Sequence, residues 1–201
     1  MPATQPLLER LLAAFPPQAA RARGDAPNDL DRLRRSLPTE LVDVYQSQGP
    51  GKLGDGLLEL IDPIAYAPAY VAFFGGDAGG RVPFLLTAMG EPIAYKPIGP
   101  REAELSILHV YGPQIAVLAY SLDDFLDRVL LTDDGLRQVV NVPLYERLRA
   151  RLGRLRPGQC YGFDPGLLSE APAGTKADDS WFEVVEALDH LALLLRRAEQ
   201  A

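Results

Sequence analysis

The glycines at positions 49, 51 and 54 have the spacing of a nucleotide-binding loop. The segment Gly49–Gly54 fits the pattern G-x-G-x-x-G, in which backbone N–H groups contact a phosphate at the start of a helix. That chemistry needs a strand before the glycines and a helix after them. Here a helix opened by Leu37-Pro38 precedes them and a predicted strand, Leu57–Ile61, follows. We therefore interpret the segment as a turn that requires positive φ values.

One cysteine and two histidines are the other candidates for a nucleophile, a base or a metal ligand. Cys160 stands among apolar and aromatic residues, which is typical of an inert, buried thiol. His109 falls in a predicted strand and His190 in a predicted helix, and neither has the spaced ligands of a zinc site. No serine lies in a G-x-S-x-G elbow. The sequence thus predicts no catalytic residues, no metal site and no cofactor.

Carboxylates form a cluster in the middle of the chain. Assigning two of them as acid and base would require a shared cleft, which spacing alone does not establish. Two interpretations stay open: helix capping with a solvated face, or a contact surface for a cationic protein. The cluster consists of Asp123, Asp124, Asp127, Asp133 and Asp134.

A short basic run follows the carboxylate cluster. Nucleic-acid binding is conceivable for such a run, but the acidic remainder of the chain opposes it. We expect the arginines to pair within the molecule, with its acidic segments. The run consists of Arg147, Arg149, Arg151, Arg154 and Arg156.

The formal net charge of −7 is unevenly distributed along the chain. Residues 37–145 hold 6 basic and 14 acidic side chains, whereas residues 146–156 hold 5 basic side chains and 1 acidic one. An acidic surface repels nucleic acid and attracts basic partners. Simple solubility is the alternative explanation of this charge.

The elements that must position these residues alternate between hairpins and helices. Strands are predicted at Val82–Ala88 and Ile93–Lys96, and again at Glu104–Tyr111 and Gln114–Ala119, each pair around a tight turn. Hairpins flanked by helices favour an antiparallel or mixed sheet over regular βαβ units. The predicted fold class is therefore α+β: a mixed or mainly antiparallel sheet flanked by helices, in two closely packed parts.

Several absences bear on the compartment. The 201-residue chain has no apolar run of the roughly 18–20 residues that span a bilayer. Its first residues lack the basic and apolar regions of a signal peptide, and a single cysteine cannot form an intrachain disulfide. We expect a cytoplasmic protein without membrane contact.

Two stretches resemble a known pair of domains. The first runs from Leu37-Pro38-Thr39-Glu40-Leu41 through Gly54-Asp55-Gly56-Leu57 to Asp62-Pro63, and resembles the opening of GAD-like domains. The second contains Arg151-Leu152-Gly153-Arg154-Leu155 and Cys160-Tyr161-Gly162-Phe163-Asp164-Pro165. It is similar to the C-terminal domain of immunity proteins against type VI secretion DNase effectors. Tyr45, where the family often has Trp, departs from the pattern.

The resemblance implies domains and a partner. It covers a GAD-like domain at 37–100 and an immunity-type domain at 101–201, which can form one globule, and leaves an N-terminal helical extension at 1–36 outside it. It implies that the protein holds a co-encoded toxin inactive, with a basic nuclease as the expected partner and no direct contact with nucleic acid. For the buried centre of that interface we expect Asp55, Tyr66 and Tyr70, whose alternative role is domain packing, with the five clustered aspartates around it.

Two other functions stay open at this stage. A small-ligand-binding protein or enzyme would use the loop Gly49–Gly56, and would need a deep polar pocket there. An adaptor domain would bind a housekeeping protein and have no toxin partner.

Overall fold

The computed structural model describes residues 6–18, 30–100, 102–112, 114–167 and 177–198. A π-helical segment, Phe125–Leu130, directly follows the fifth of the helices discussed below. The longest of them has 12 residues, so no helix in the described ranges could cross a bilayer. They are α1 Leu7–Ala14, α2 Leu30–Arg34, α3 Thr39–Gln48, α4 Pro63–Ala72, α5 Leu122–Asp124, α6 Asp133–Val139, α7 Val142–Leu152 and α8 Ala187–Ala198.

The strands form one large and one small antiparallel sheet. Six strands lie side by side in the order of the sequence, and the last two pair separately. This arrangement confirms the predicted α+β class and its mainly antiparallel sheet. The large sheet consists of β1 Gly51–Leu53, β2 Leu58–Leu60, β3 Val82–Thr87, β4 Pro92–Pro97, β5 Ala103–His109 and β6 Gln114–Ala119, and the small one of β7 Gln159–Gly162 and β8 Glu183–Glu186.

The large sheet runs across the boundary that the resemblance implies at residue 100. Strands β4 and β5 pair from Ile93 opposite Ile107 to Pro97 opposite Ala103. The N-terminal residues also join the main core, because Leu11, Phe15 and Leu33 are buried in its largest cluster. The six strands and the first helices therefore share one core.

The sheet separates two apolar clusters. Leu105 and Ile107 of β5 belong to the first cluster, and Leu108 belongs to the second, as side chains that alternate along a strand require. Helix α3 covers the first face, where the hydroxyl of Tyr45 donates to the carbonyls of Ile61 and Phe84 at 2.8 and 2.9 Å. Helices α4 and α8 cover the second face.

Side-chain caps fix where the helices begin. Asp62 accepts from the N–H of Ile64 at the start of α4, and Ser121 accepts from the N–H of Asp124 at the start of α5, where the sequence predicts a helix start. Thr132 caps α6 by accepting from the N–H of Gly135. Such caps satisfy the N–H groups that lack partners in the first turn.

The structure differs from the sequence prediction at one strand and one helix. Gly51–Leu53 was expected to be loop but forms β1, because each of its residues pairs with a residue of β2. Helix α6 was not predicted, since its seven residues include a glycine. A Cβ at Gly135 would lie 2.2 Å from the carbonyl oxygen of Arg128, so close packing against the preceding segment requires this glycine.

Candidate functional site

The turn between β1 and β2 has three successive residues with positive φ. Gly54, Asp55 and Gly56 have φ values of 55°, 60° and 96°. Of the turn predicted at Gly49–Gly54, the two end glycines have positive φ, whereas the residues between them include strand β1. A Cβ at Gly54 would lie 2.8 Å from Cδ1 of Phe15. The element order around it is helix, strand, turn, strand, so no helix N-terminus follows the glycines as a phosphate site requires.

Asp55 connects this turn to α7. Its carboxylate lies 3.0 Å from Nη2 of Arg149 and 3.6 Å from Nη2 of Arg154. Its carbonyl oxygen accepts a hydrogen bond of 2.8 Å from the hydroxyl of Tyr145. Because the Asp55 side chain remains 52% exposed, the two ion pairs are screened by solvent and contribute little to stability.

A buried ion pair lies on the strands that flank the turn. Lys52 and Glu59 face each other across β1 and β2, with Nζ 2.7 Å from Oε2. The ammonium of Lys52 also donates to the carbonyl of Gln159 at 2.5 Å, and Oε1 of Glu59 accepts from the N–H of Gly158 at 2.8 Å. Each charge thus lies beside its counter-ion and contacts the backbone that enters β7.

These contacts join the two stretches that carry the resemblance. We call the set the glycine-turn junction and define it as Lys52, Asp55 and Glu59 with Tyr145, Arg149, Arg154, Gly158 and Gln159. The sequence did not predict Lys52 or Glu59 as members. A signal was present, since Lys52 and Glu59 lie equidistant from the turn Gly54–Leu57 and would face each other in a hairpin.

A cleft of about 310 Å³ opens beside the junction. Its charged lining residues are Lys52, Arg154 and Arg156, and no carboxylate side chain of the described residues lines it. The amide nitrogen of Gln18, another lining residue, is buried and has no hydrogen-bond partner in the described ranges. We call this the basic cleft. An anionic group would match both its charge and this unused donor.

Tyr66 and Tyr70 lie away from the molecular surface. They are 6% and 1% exposed and belong to the second core cluster, where Tyr70 packs against Phe74 at 5.1 Å between ring centroids. Burial raises the pKa of both phenols, that of Tyr70 to about 12. Their side chains therefore pack within the molecule, and we no longer count them as contact residues.

The clustered aspartates lie on α5, the π-helical segment and α6, mostly beside arginines. Asp123 and Asp127 both pair with Arg10 of α1, and Arg128 lies 3.2 Å from Asp124. The weaker contact of Asp134 with Arg137 is 3.7 Å. Asp133 is exposed in the first turn of α6. Capping is accordingly performed by Ser121 and Thr132 rather than by these carboxylates.

Three arginines of the basic run pair with carboxylates within the molecule, as expected, whereas Arg156 contacts the amide of Gln159. Arg147 contacts the carboxylate of Asp179 at 2.5 and 3.2 Å, and this contact lowers the pKa of Asp179. Arg151 donates to the carbonyl of Phe182 at 2.8 Å. Together with the Asp55 pairs, these contacts connect α7 and the residues after it to the glycine turn on one side and to the segment before β8 on the other.

The cysteine is buried, and each histidine contacts a side chain of the same molecule. Cys160 is buried, and burial raises the pKa of its thiol to about 12, which agrees with the predicted inert thiol. His109 lies 2.9 Å from Glu91, and His190 lies 2.9 Å from the hydroxyl of Tyr111. Within the described ranges, no three His, Cys, Asp or Glu side chains are grouped as a metal site would need.

Comparison with known proteins identifies a solved structure with a similar fold. No protein-family model matches the chain, and no curated protein matches it. The crystal structure of Atu4351 from Agrobacterium tumefaciens is similar, with a TM-score of 0.67 over 94% of this chain and 88% of that one. The two sequences are 18% identical, so the likeness concerns the fold alone.

Proposed function

We propose that this protein is an immunity-type protein that binds and neutralises a co-encoded toxin in the cytoplasm of the producing cell. The toxin is a basic nuclease of a bacterial type VI secretion system. The protein acts by occupying the toxin and performs no reaction of its own.

The glycine-turn junction is the observation that carries this proposal. The stretch that resembles GAD-like domains and the stretch that resembles immunity proteins are about 90 residues apart in sequence, yet Asp55 of the first lies 3.6 Å from Arg154 of the second. Glu59 and Gly158 are likewise joined across 99 positions. Both stretches are thus held together by direct contacts, which favours recognition of a single partner by a preorganised surface.

The charge of the chain agrees with a nuclease partner. A nuclease must carry positive charge to hold phosphates. A protein of net charge −7 is attracted to that surface, and can occupy the place of the nucleic acid.

Co-expression with the product of the neighbouring effector gene tests the proposal. We expect the full chain to restore colony formation and keep plasmid DNA intact, and to co-elute with the effector in gel filtration. An unrelated acidic protein with the same net charge is the control and should give no protection. Killing and DNA degradation that continue at equal levels of the two proteins would contradict the proposal.

A second candidate function is the binding of a small anion in the basic cleft. The buried amide nitrogen of Gln18, which has no hydrogen-bond partner in the described ranges, favours it together with Arg156, whereas the other two cations of the lining, Lys52 and Arg154, already pair with carboxylates. The volume of about 310 Å³ lies at the lower end of the range for ligand sites.

Titration calorimetry with inorganic phosphate tests this candidate. We expect binding that weakens at least tenfold in Arg156→Gln and in Gln18→Leu, and that is unchanged in the matched variant Arg128→Gln on the π-helical segment. Absence of heat with phosphate, or equal loss in all three variants, would exclude the candidate.

A further inference from the structure

Strand β6 is an open edge of the large sheet. Among the described residues β5 is its single neighbouring strand, so within them every second backbone N–H and C=O of β6 points away from the sheet. The opposite edge, β1, is covered, because Pro17 bridges to Leu53 and the N–H of Gln18 donates to the carbonyl of Lys52 at 3.1 Å. One edge of the sheet is therefore hydrogen-bonded to the N-terminal segment, and the other is not covered by a described strand.

The open edge has one of the devices that usually protect such edges, a register shift opposite Leu105 and Ser106 that leaves Leu118 unpaired, and lacks the others. Proteins block exposed edges with charged residues, prolines or bulges directed outward. The stretch Gln114–Tyr120 contains no charged residue and no proline. Val117 is 45% exposed and Tyr120 is 62% exposed. An uncharged, β-branched and aromatic edge of this kind is suited to pairing with another strand.

The apolar side chains of the edge lie beyond the cover of the helices. Ile115 faces Leu108 across the pair, and Val117 faces Ser106, so both lie on the face of the second cluster. Neither is part of that cluster nor packed against it. An added strand would extend the sheet and bury these two side chains against its own.

An acidic cleft of about 410 Å³ begins where β6 ends. The carbonyl of Tyr120 accepts from the N–H of Ala103, and the next residue, Ser121, lines the cleft together with Glu40, Glu102 and Asp123. Its described lining residues include no cation, although Arg10 contacts Asp123 at 3.3 Å and Arg101 lies outside the described ranges. A basic side chain fits this charge.

We propose that β6 is a docking edge for an extended, basic segment of the partner protein. The segment adds to the large sheet as a seventh strand and places an arginine or lysine in the acidic cleft. A second copy of this chain is a poorer occupant, because two chains of net charge −7 repel each other. The basic character of the partner rests on the proposed function, whereas the open edge does not.

Hydrogen exchange of the full chain with synthetic peptides tests the docking edge. The probe is a ten-residue peptide of alternating arginine and threonine, and one control peptide has glutamate in place of arginine. A second control alternates arginine and proline, which keeps the charge but removes the N–H groups that a strand needs. We expect the first peptide to slow amide exchange in β6, and both controls to bind at least tenfold more weakly.

Matched variants separate the edge from general charge. Val117→Lys and the double variant Glu40→Gln/Glu102→Gln should each weaken binding of the arginine–threonine peptide about tenfold. Leu188→Lys and Glu183→Gln/Asp189→Asn make the same changes elsewhere on the surface and should leave it unchanged. Equal binding of the arginine–threonine and arginine–proline peptides would overturn the proposal. So would a wild-type dimer in ultracentrifugation that Val117→Lys dissociates, since a second copy would then occupy the edge.

The toxin assay distinguishes the two proposals. If wild type neutralises the effector, Val117→Lys should lose protection and Leu188→Lys should keep it. Protection by Val117→Lys would refute the docking edge and leave the proposed function standing. If wild type gives no protection, the proposed function fails, while the peptide experiment still decides about the edge.

Discussion

Lys52 and Glu59 form a salt bridge in the interior, with Nζ and Oε2 2.7 Å apart on neighbouring strands. The two residues are 3% and 4% exposed. Each also bonds to the backbone before or in β7, Lys52 through Gln159 and Glu59 through Gly158. The pair thus couples the large sheet to the small one through charge and hydrogen bonds, which apolar side chains could not provide.

Glu59→Gln should strongly destabilise the protein. The substitution removes the negative charge and leaves the ammonium of Lys52 buried without its counter-ion. Breaking a buried pair in this way costs about 3–5 kcal/mol, which urea denaturation would measure as a lower free energy of unfolding. The double variant Lys52→Met/Glu59→Leu should be less destabilised than Glu59→Gln, because no charge is left buried. A double variant that is worse than the single one would show that the pair is a net source of stability.

Gly135→Ala should destabilise α6 against the π-helical segment. Its Cβ would lie 2.2 Å from the carbonyl oxygen of Arg128 and 2.6 Å from Cα of Val129, and backbone atoms cannot move aside as a flexible side chain can. Overpacking of this kind costs about 1–3 kcal/mol, and we expect the upper end. Gly112→Ala is the control, since nothing lies within 4 Å of its added Cβ. Thermal unfolding that shifts equally for both variants would contradict this account.

The fold was predictable where its signals are local. The hairpins β3–β4 and β5–β6 follow from apolar runs around Gly90 and Gly112, and Ser121 predicts its helix start. Strand β1 was not predictable in this way, because three residues within a glycine-rich stretch become a strand only when β2 pairs with them. Helix α6 depends on Gly135 fitting against Val129, which is a tertiary contact.

The candidate site was predictable in part, for the same reason. Asp55 was identified because it stands between two glycines in a predicted turn. Tyr66 and Tyr70 were expected beside it, but α4 directs them into the second core cluster. The spacing of residues gave no information on which face of the sheet α4 covers, or on the open edge at β6. Both features depend on contacts between residues that are far apart in the sequence.

Substitutions at Asp55 should separate backbone strain from ion pairing. Its φ of 60° is tolerated by Asn and Gly, but costs an alanine about 1–2 kcal/mol. The ion pairs with Arg149 and Arg154 are half exposed and contribute at most about 1 kcal/mol. Chemical denaturation should therefore rank Asp55→Asn and Asp55→Gly near wild type and Asp55→Ala clearly below them. Equal losses in all three would mean that the carboxylate, not the backbone, dominates.

Acid should weaken the protein through His190. Burial lowers the pKa of this imidazole. Its Nε2 lies 2.9 Å from the hydroxyl of Tyr111, and in the neutral ring this nitrogen can accept a hydrogen bond from that hydroxyl. Asp164 opposes the shift from nearby. The unfolded chain therefore binds the proton more readily. This contribution to stability is complete above the ordinary pKa of about 6.5 and is lost as the pH falls toward the folded value.

The measurement is the free energy of unfolding of wild type and His190→Gln between pH 7.5 and 5. Glutamine keeps an acceptor for Tyr111 and does not titrate, so the difference between the two curves isolates the imidazole. Wild type should lose stability relative to the variant below about pH 6.5, by at most about 1.4 kcal/mol per pH unit for one proton. Parallel curves for wild type and His190→Gln would show that His190 does not titrate differently on folding.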